Sequence, residues 1–163
     1  MPLRFFIVPF LLILAADGWA QDHPIKAIYA YKQRIVEGKN DAYKKQTVNR
    51  TRYHLYIEQR LNQPLAITTL WVNGQQYTFD TVSVKTPILF ENIPVLRSNK
   101  NNVELVAATS NRVIQLILLQ VIKNGKKQPL HLKHHEVLIA CNTGTKLYYA
   151  GSKLKELQPK LMK

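Results

Sequence analysis

The sequence predicts an all-β fold, an immunoglobulin-like antiparallel sandwich of about seven strands with a small β-barrel as the alternative. Tyr53, Leu55 and Ile57 alternate with Arg52, His54, Tyr56, Glu58 and Arg60, the period-2 pattern of a strand with one face in a core and the other in water. Asn73-Gly74, a preferred type I′ turn, separates two runs rich in β-branched and aromatic residues. Further short apolar runs follow, divided by Gly- and Asn-bearing turns.

Residues 1–20 read as an export signal. Arg4 supplies a positive start, Phe5 to Ala16 form an apolar run, and Gly18-Trp19-Ala20 offers small side chains for cleavage. That run makes about 18 Å of helix against a hydrocarbon core of roughly 30 Å, so a cleaved signal is expected rather than an anchor. The mature chain is expected to start at Gln21 and to form one domain over 21–163, exported to the periplasm or beyond the cell, with no transmembrane segment.

Pro24 to Val36 fits either a helix or a strand, and the β character of the rest favours an opening strand. After the alternating strand, Ile67 to Val72 and Gln75 to Val84 form a hairpin, with a bulge or bend expected near Thr81 because Tyr77 and Phe79 fall on one face and Val82 and Val84 on the other. Pro87 and Pro94 confine Ile88 to Ile93 to a short edge strand. Ser98 to Asn102 reads as a polar turn before Val103, Leu105 and Ala107. From Val113 to Ile122 both parities are apolar, so this central strand is expected to have its second face covered, most simply by the chain itself. Asn124-Gly125 reads as a hairpin turn into a last pair of strands carrying Leu130, Leu132, Val137 and Ile139, closed by Leu147 to Ala150. Ser152 is placed to cap a short final helix with Leu154 and Leu157, ended by Pro159.

The chain carries 23 basic and 10 acidic residues, a net charge of +13 that survives removal of the signal. Positive charge concentrates at both ends of the mature chain, while residues 61–110 are balanced. Such a field attracts acidic polysaccharide or an anionic membrane surface; nucleic acid is not expected for an exported protein. The one cysteine, Cys141, follows Val137-Leu138-Ile139-Ala140 and is expected to be a buried, inert thiol, so stability must come from packing.

Chemistry-bearing motifs are sparse. His131, His134 and His135 invite a metal, but in a strand the outer two stand about 13 Å apart and the adjacent pair points to opposite faces, so no metal or cofactor is expected. Ser152-Lys153-Leu154-Lys155 matches a Ser-x-x-Lys pattern without the companion motifs or the larger domain that acyl enzymes need. The acids are scattered; Glu58 and Asp80 could meet across a sheet, with an ion pair to Arg52 or Arg60 the ordinary outcome.

The succession Arg52-Tyr53-His54-Leu55-Tyr56-Ile57-Glu58 followed by Leu70-Trp71-Val72-Asn73-Gly74-Gln75-Gln76-Tyr77 resembles small exported β-sandwich proteins of Bacteroidetes that are functionally uncharacterised. The resemblance implies a Gram-negative envelope and carries over no site residues. The expectation is a non-enzymatic module acting by surface contact on an envelope protein, through the strand face of Arg52, His54, Tyr56 and Arg60 or the second apolar face of Val113 to Ile122. The alternative is electrostatic binding of an acidic polymer or membrane surface through Lys123, Lys126 and Lys127.

Overall fold

The computed structural model describes residues 23–37, 48–60, 64–92 and 101–162; the expected export signal and most of the turn expected over Ser98 to Asn102 lie outside them. The fold is all-β. Its strands are β1 (Ile25–Glu37), β2 (Val48–Gln59), β3 (Ala66–Val72), β4 (Gln75–Val84), β5 (Ile88–Asn92), β6 (Asn101–Val106), β7 (Val113–Val121), β8 (Val137–Thr143), β9 (Lys146–Ser152) and β10 (Lys155–Met162). Eight of them form one sheet in the order β10-β1-β2-β7-β4-β3-β8-β9, and β5 with β6 forms a separate ribbon.

The large sheet curls because its two edge strands are neighbours in sequence. Only Lys153 and Leu154 separate β9 from β10, and β10 pairs in parallel with β1. Across the gap, the His23 ring accepts from the Ile25 N–H at Nδ1 (3.2 Å) and donates from Nε2 to the Tyr149 carbonyl (3.2 Å). The inward parity of the strands fills the curl: Leu55, Ile57, Leu70, Val72, Ile114, Leu116, Val137, Ile139 and Cys141 form its core. The result joins features of both expected architectures, a barrel-like curl and a second layer laid on its outside.

That second layer is the β5–β6 ribbon. Leu105 and Val106 bury against Tyr31, Tyr56, Val113 and Leu157, and the Tyr31 hydroxyl donates to the Leu105 carbonyl at 2.6 Å. Tyr56, expected in water, is therefore only 5% exposed. A third, smaller cluster packs Trp71, Leu138 and Ala140 beneath Leu132, with the Trp71 indole N–H donating to the Lys126 carbonyl at 2.7 Å.

Several expectations hold. The opening segment is a strand, and the β3–β4 hairpin turns at Asn73 (φ 50°) and Gly74 (φ 78°), the two positive values that a type I′ turn requires. Ile88 begins the short ribbon strand β5, and β9 lies at a sheet edge.

Others are corrected. The bulge lies opposite Thr78 rather than near Thr81: Tyr77 faces Val121 while Phe79 faces Leu118, leaving Leu119 and Gln120 of β7 against one residue. Asn124-Gly125 does not lead into a paired strand. It folds back on β4, where the Ile122 N–H donates to the Gln76 carbonyl at 2.9 Å and a Cβ on Gly125 would stand 2.7 Å from Gln76 Oε1. β8 pairs instead with β3 and β9, and Leu130 to Leu132 form a 3-10 turn.

The final helix is a strand. A spacing of three puts two residues on one face of a helix but on opposite faces of a strand, and here Leu154 enters the inner core while Leu157 packs under the ribbon. Pro159 falls within the register shift of β10 against β1, where no regular ladder bond is demanded of it.

Candidate functional site

The strands β2 and β7 fork. They pair over Glu58–Val113, Ile57–Ile114, Tyr56–Gln115 and Leu55–Leu116, and there their ladder ends. Beyond that rung β2 continues against β1 as far as Val48, and β7 continues against β4 as far as Val121. Between the diverging strands lies a groove of about 700 Å³, with Arg50 to His54 on one side, Gln115 to Leu119 on the other, and Tyr77 and Ile35 completing it.

One wall is cationic and the other apolar. Arg52 is exposed, whereas Ile117 and Leu119 are 40% and 58% exposed despite their size. Among the described residues the expected cover for the second face of this strand is present only at its start: the ribbon buries Val113 but leaves Ile117 and Leu119 open. The bulge opposite Thr78 ends the regular alternation at Leu119.

His54 closes the inner end of the groove. Its ring meets Phe90 of the ribbon edge-on at 5.2 Å, and its Nε2 is buried without a hydrogen-bond partner. Burial first, and the charge of Arg52 second, hold the imidazole below its ordinary 6.5, so it is neutral at pH 7.

The sequence-derived site residues are thus divided. Arg52 and His54 line the groove, while Tyr56 is covered by the ribbon and Arg60 turns away, donating from Nε to the His23 carbonyl at 2.8 Å. The polar strand face is not one open surface. Tyr53, Tyr77 and Gln115 also line the groove; nothing in their neighbouring residues signals it, because a fork depends on how long two distant strands stay paired.

Comparison with protein-family models, curated proteins and solved structures finds no match.

The remaining polar clusters are structural or shallow. Glu58, 3% exposed, accepts hydrogen bonds from Lys26 Nζ (2.9 Å), Tyr29 Oη (2.7 Å), Thr109 Oγ1 (2.7 Å) and Asn111 Nδ2 (2.6 Å). Burial would raise its pKa, but these donors outweigh it and hold the carboxyl down at about 2. Its ion-pair partner is Lys26, not Arg52 or Arg60, and Asp80 stands exposed on β4.

Lys123, Lys126 and Lys127 are exposed on the connection between β7 and β8. Lys127 and Lys133 border a depression of about 500 Å³ beside Asn73, Gly74 and Glu136. Gln128 fixes this connection, donating from Nε2 to the carbonyls of Leu132 (2.7 Å) and His135 (3.1 Å).

The histidines do not converge. His131 sits in the 3-10 turn, the rings of His134 and His135 lie 3.9 Å apart, and His135 packs on Gly151 so closely that a Cβ there would collide with it. Among the described residues no group of three or more His, Cys, Asp or Glu side chains could hold a metal ion. Cys141 is fully buried in the inner core, and burial pushes its thiol up to about 11.

Proposed function

We propose that this protein is a non-enzymatic binding module of the cell envelope, acting by surface contact, and that the fork between β2 and β7 is its contact site. The observation that carries the reading is the meeting of Arg52 with the exposed Ile117 and Leu119 around one groove. Large apolar side chains beside arginine are the ordinary materials of a binding surface, and the groove's volume falls within the range of about 300–1,000 Å³ typical of ligand sites. Glu58, the most perturbed acid among the described residues, is fully occupied by four donors and is not free to act as a general base.

The test is crosslinking capture from intact envelopes with the parent protein, Arg52→Glu and Leu119→Glu, each first shown to unfold like the parent. Loss of the same captured species from both variants supports the fork. An unchanged set with both variants removes it.

The second reading is electrostatic binding of an acidic polysaccharide or anionic membrane surface through Lys123, Lys126 and Lys127, favoured by their joint exposure on one connection. Such binding should collapse between about 50 and 200 mM salt and weaken when these lysines are replaced by glutamine. Contact at the fork should respond much less to salt, because part of it is apolar.

A further inference from the structure

A strand within a sheet uses hydrogen-bonding groups along both of its edges. Through the fork, the β2 backbone from Thr51 to His54 keeps its ladder with β1, and β7 beyond Leu116 keeps its ladder with β4. On the groove side, among the described residues, neither stretch has a strand partner. The described residues therefore hold two extended edges that face one another across the groove, both already fixed in strand conformation by their outer neighbours.

Resting on the fork as the contact site, the geometry points to its occupant: an extended segment of a partner protein, added to the sheet as a strand between β2 and β7, with apolar and acidic side chains in alternation. An unpaired edge is a template for another chain's backbone, and this mode of recognition draws affinity from main-chain bonds and specificity from alternate side chains. Since β2 and β7 run antiparallel, the inserted segment runs parallel to one and antiparallel to the other, both regular ladder types.

The walls dictate the alternation. One parity of an inserted strand points inward, where Tyr53, Tyr77 and Leu118 pack against the core, and so must be apolar. The other points outward beside Arg52, where a carboxylate gains a charge-assisted hydrogen bond. The net charge of +13 favours the same sign of partner and opposes a second copy of this chain in the fork. The groove edge of β2 from Thr51 to His54 spans about 13 Å, which sets the inserted length at roughly four residues.

The probe is a capped, fluorescent octapeptide of alternating glutamate and valine, read by anisotropy with the full-length mature protein. Comparison peptides replace glutamate by lysine, or carry N-methyl groups on alternate amides of one parity or the other. The expected result is saturable binding of the acidic peptide, with affinity reduced roughly tenfold or more by either methylation, by the lysine exchange, and by Leu119→Glu. If the methylated peptides bind as well as their parent, contact runs through side chains alone: strand addition falls while the fork survives as a contact site. No binding by the acidic peptide, or equal binding by the lysine peptide, also overturns the inserted acidic strand. Failure of the contact site itself reads differently, as envelope capture indifferent to both Arg52→Glu and Leu119→Glu.

Discussion

Leu55 stands opposite Leu116 at the last rung joining β2 to β7, and both side chains are buried in the inner core. The fork therefore opens from a firmly packed hinge. Below it the two strands share one ladder; above it each belongs to a different neighbour, β1 or β4.

This difference separates two leucines on one strand. Leu116 is 1% exposed and Leu119 58%. Leu116→Ala should cost about 2–5 kcal/mol through lost burial and a residual cavity, whereas Leu119→Ala should stay within about 0.5 kcal/mol. Urea denaturation of both variants measures the contrast. A comparable loss at Leu119 would mean that this face is covered.

Glu58 ties β1, β2 and the loop before β7 together through Lys26, Tyr29, Thr109 and Asn111. Glu58→Gln keeps the shape but removes the charge and sets an amide group among four donors. We expect a loss of about 2–4 kcal/mol in denaturant unfolding, since bonds to a buried charge are among the stronger ones. A change under about 0.5 kcal/mol would show that the cluster is not formed in solution.

Acidification follows from the same carboxylate. Its pKa is about 2 in the folded chain against an ordinary 4.5, so the stabilisation is complete above about 4.5 and disappears as the pH falls toward 2. The difference in stability between parent and Glu58→Gln should therefore shrink across that window. Taking the difference removes the shared contribution of His54, whose pKa is also lowered. A difference constant from pH 5 to 2 would contradict the assigned hydrogen bonds.

The Cys141 thiol is enclosed by the inner core and its pKa stands at about 11. A thiol-specific reagent at pH 8 should label it only as fast as the protein unfolds, and should react at once in denaturant. Rapid labelling of the native protein would place an opening at β8.

What the sequence disclosed was local. Alternation at Tyr53, Leu55 and Ile57 and the turn at Asn73-Gly74 are written in adjacent residues, and both reappear in the fold. Alternation alone puts Tyr56 in water, because the ribbon of β5 and β6 that covers it comes from far along the chain. Asn124-Gly125 has the residues of a hairpin turn, yet the chain there folds back on β4 through the bonds of Ile122 and Lys126 to Gln76, and the next strand, β8, pairs with β3 and β9. Leu154 and Leu157 carry a spacing that suits a helix face or the two faces of a strand, and only packing decides. For the site, Arg52, His54 and the apolar Ile117 and Leu119 were visible as residues. Their assembly around a groove was not, because it depends on where a ladder between residues 55 and 116 stops.

Residue-resolved amide hydrogen exchange of the protein tests the fork most directly. Continuous protection is expected from Val113 to Leu116; from Ile117 onward in β7, and from His54 back to Thr51 in β2, slow amides bonded to the outer neighbour should alternate with fast ones facing the groove. The fast set should slow when a partner binds. Uniform protection through both stretches in the free protein would mean that β2 and β7 remain paired, and that the groove does not exist.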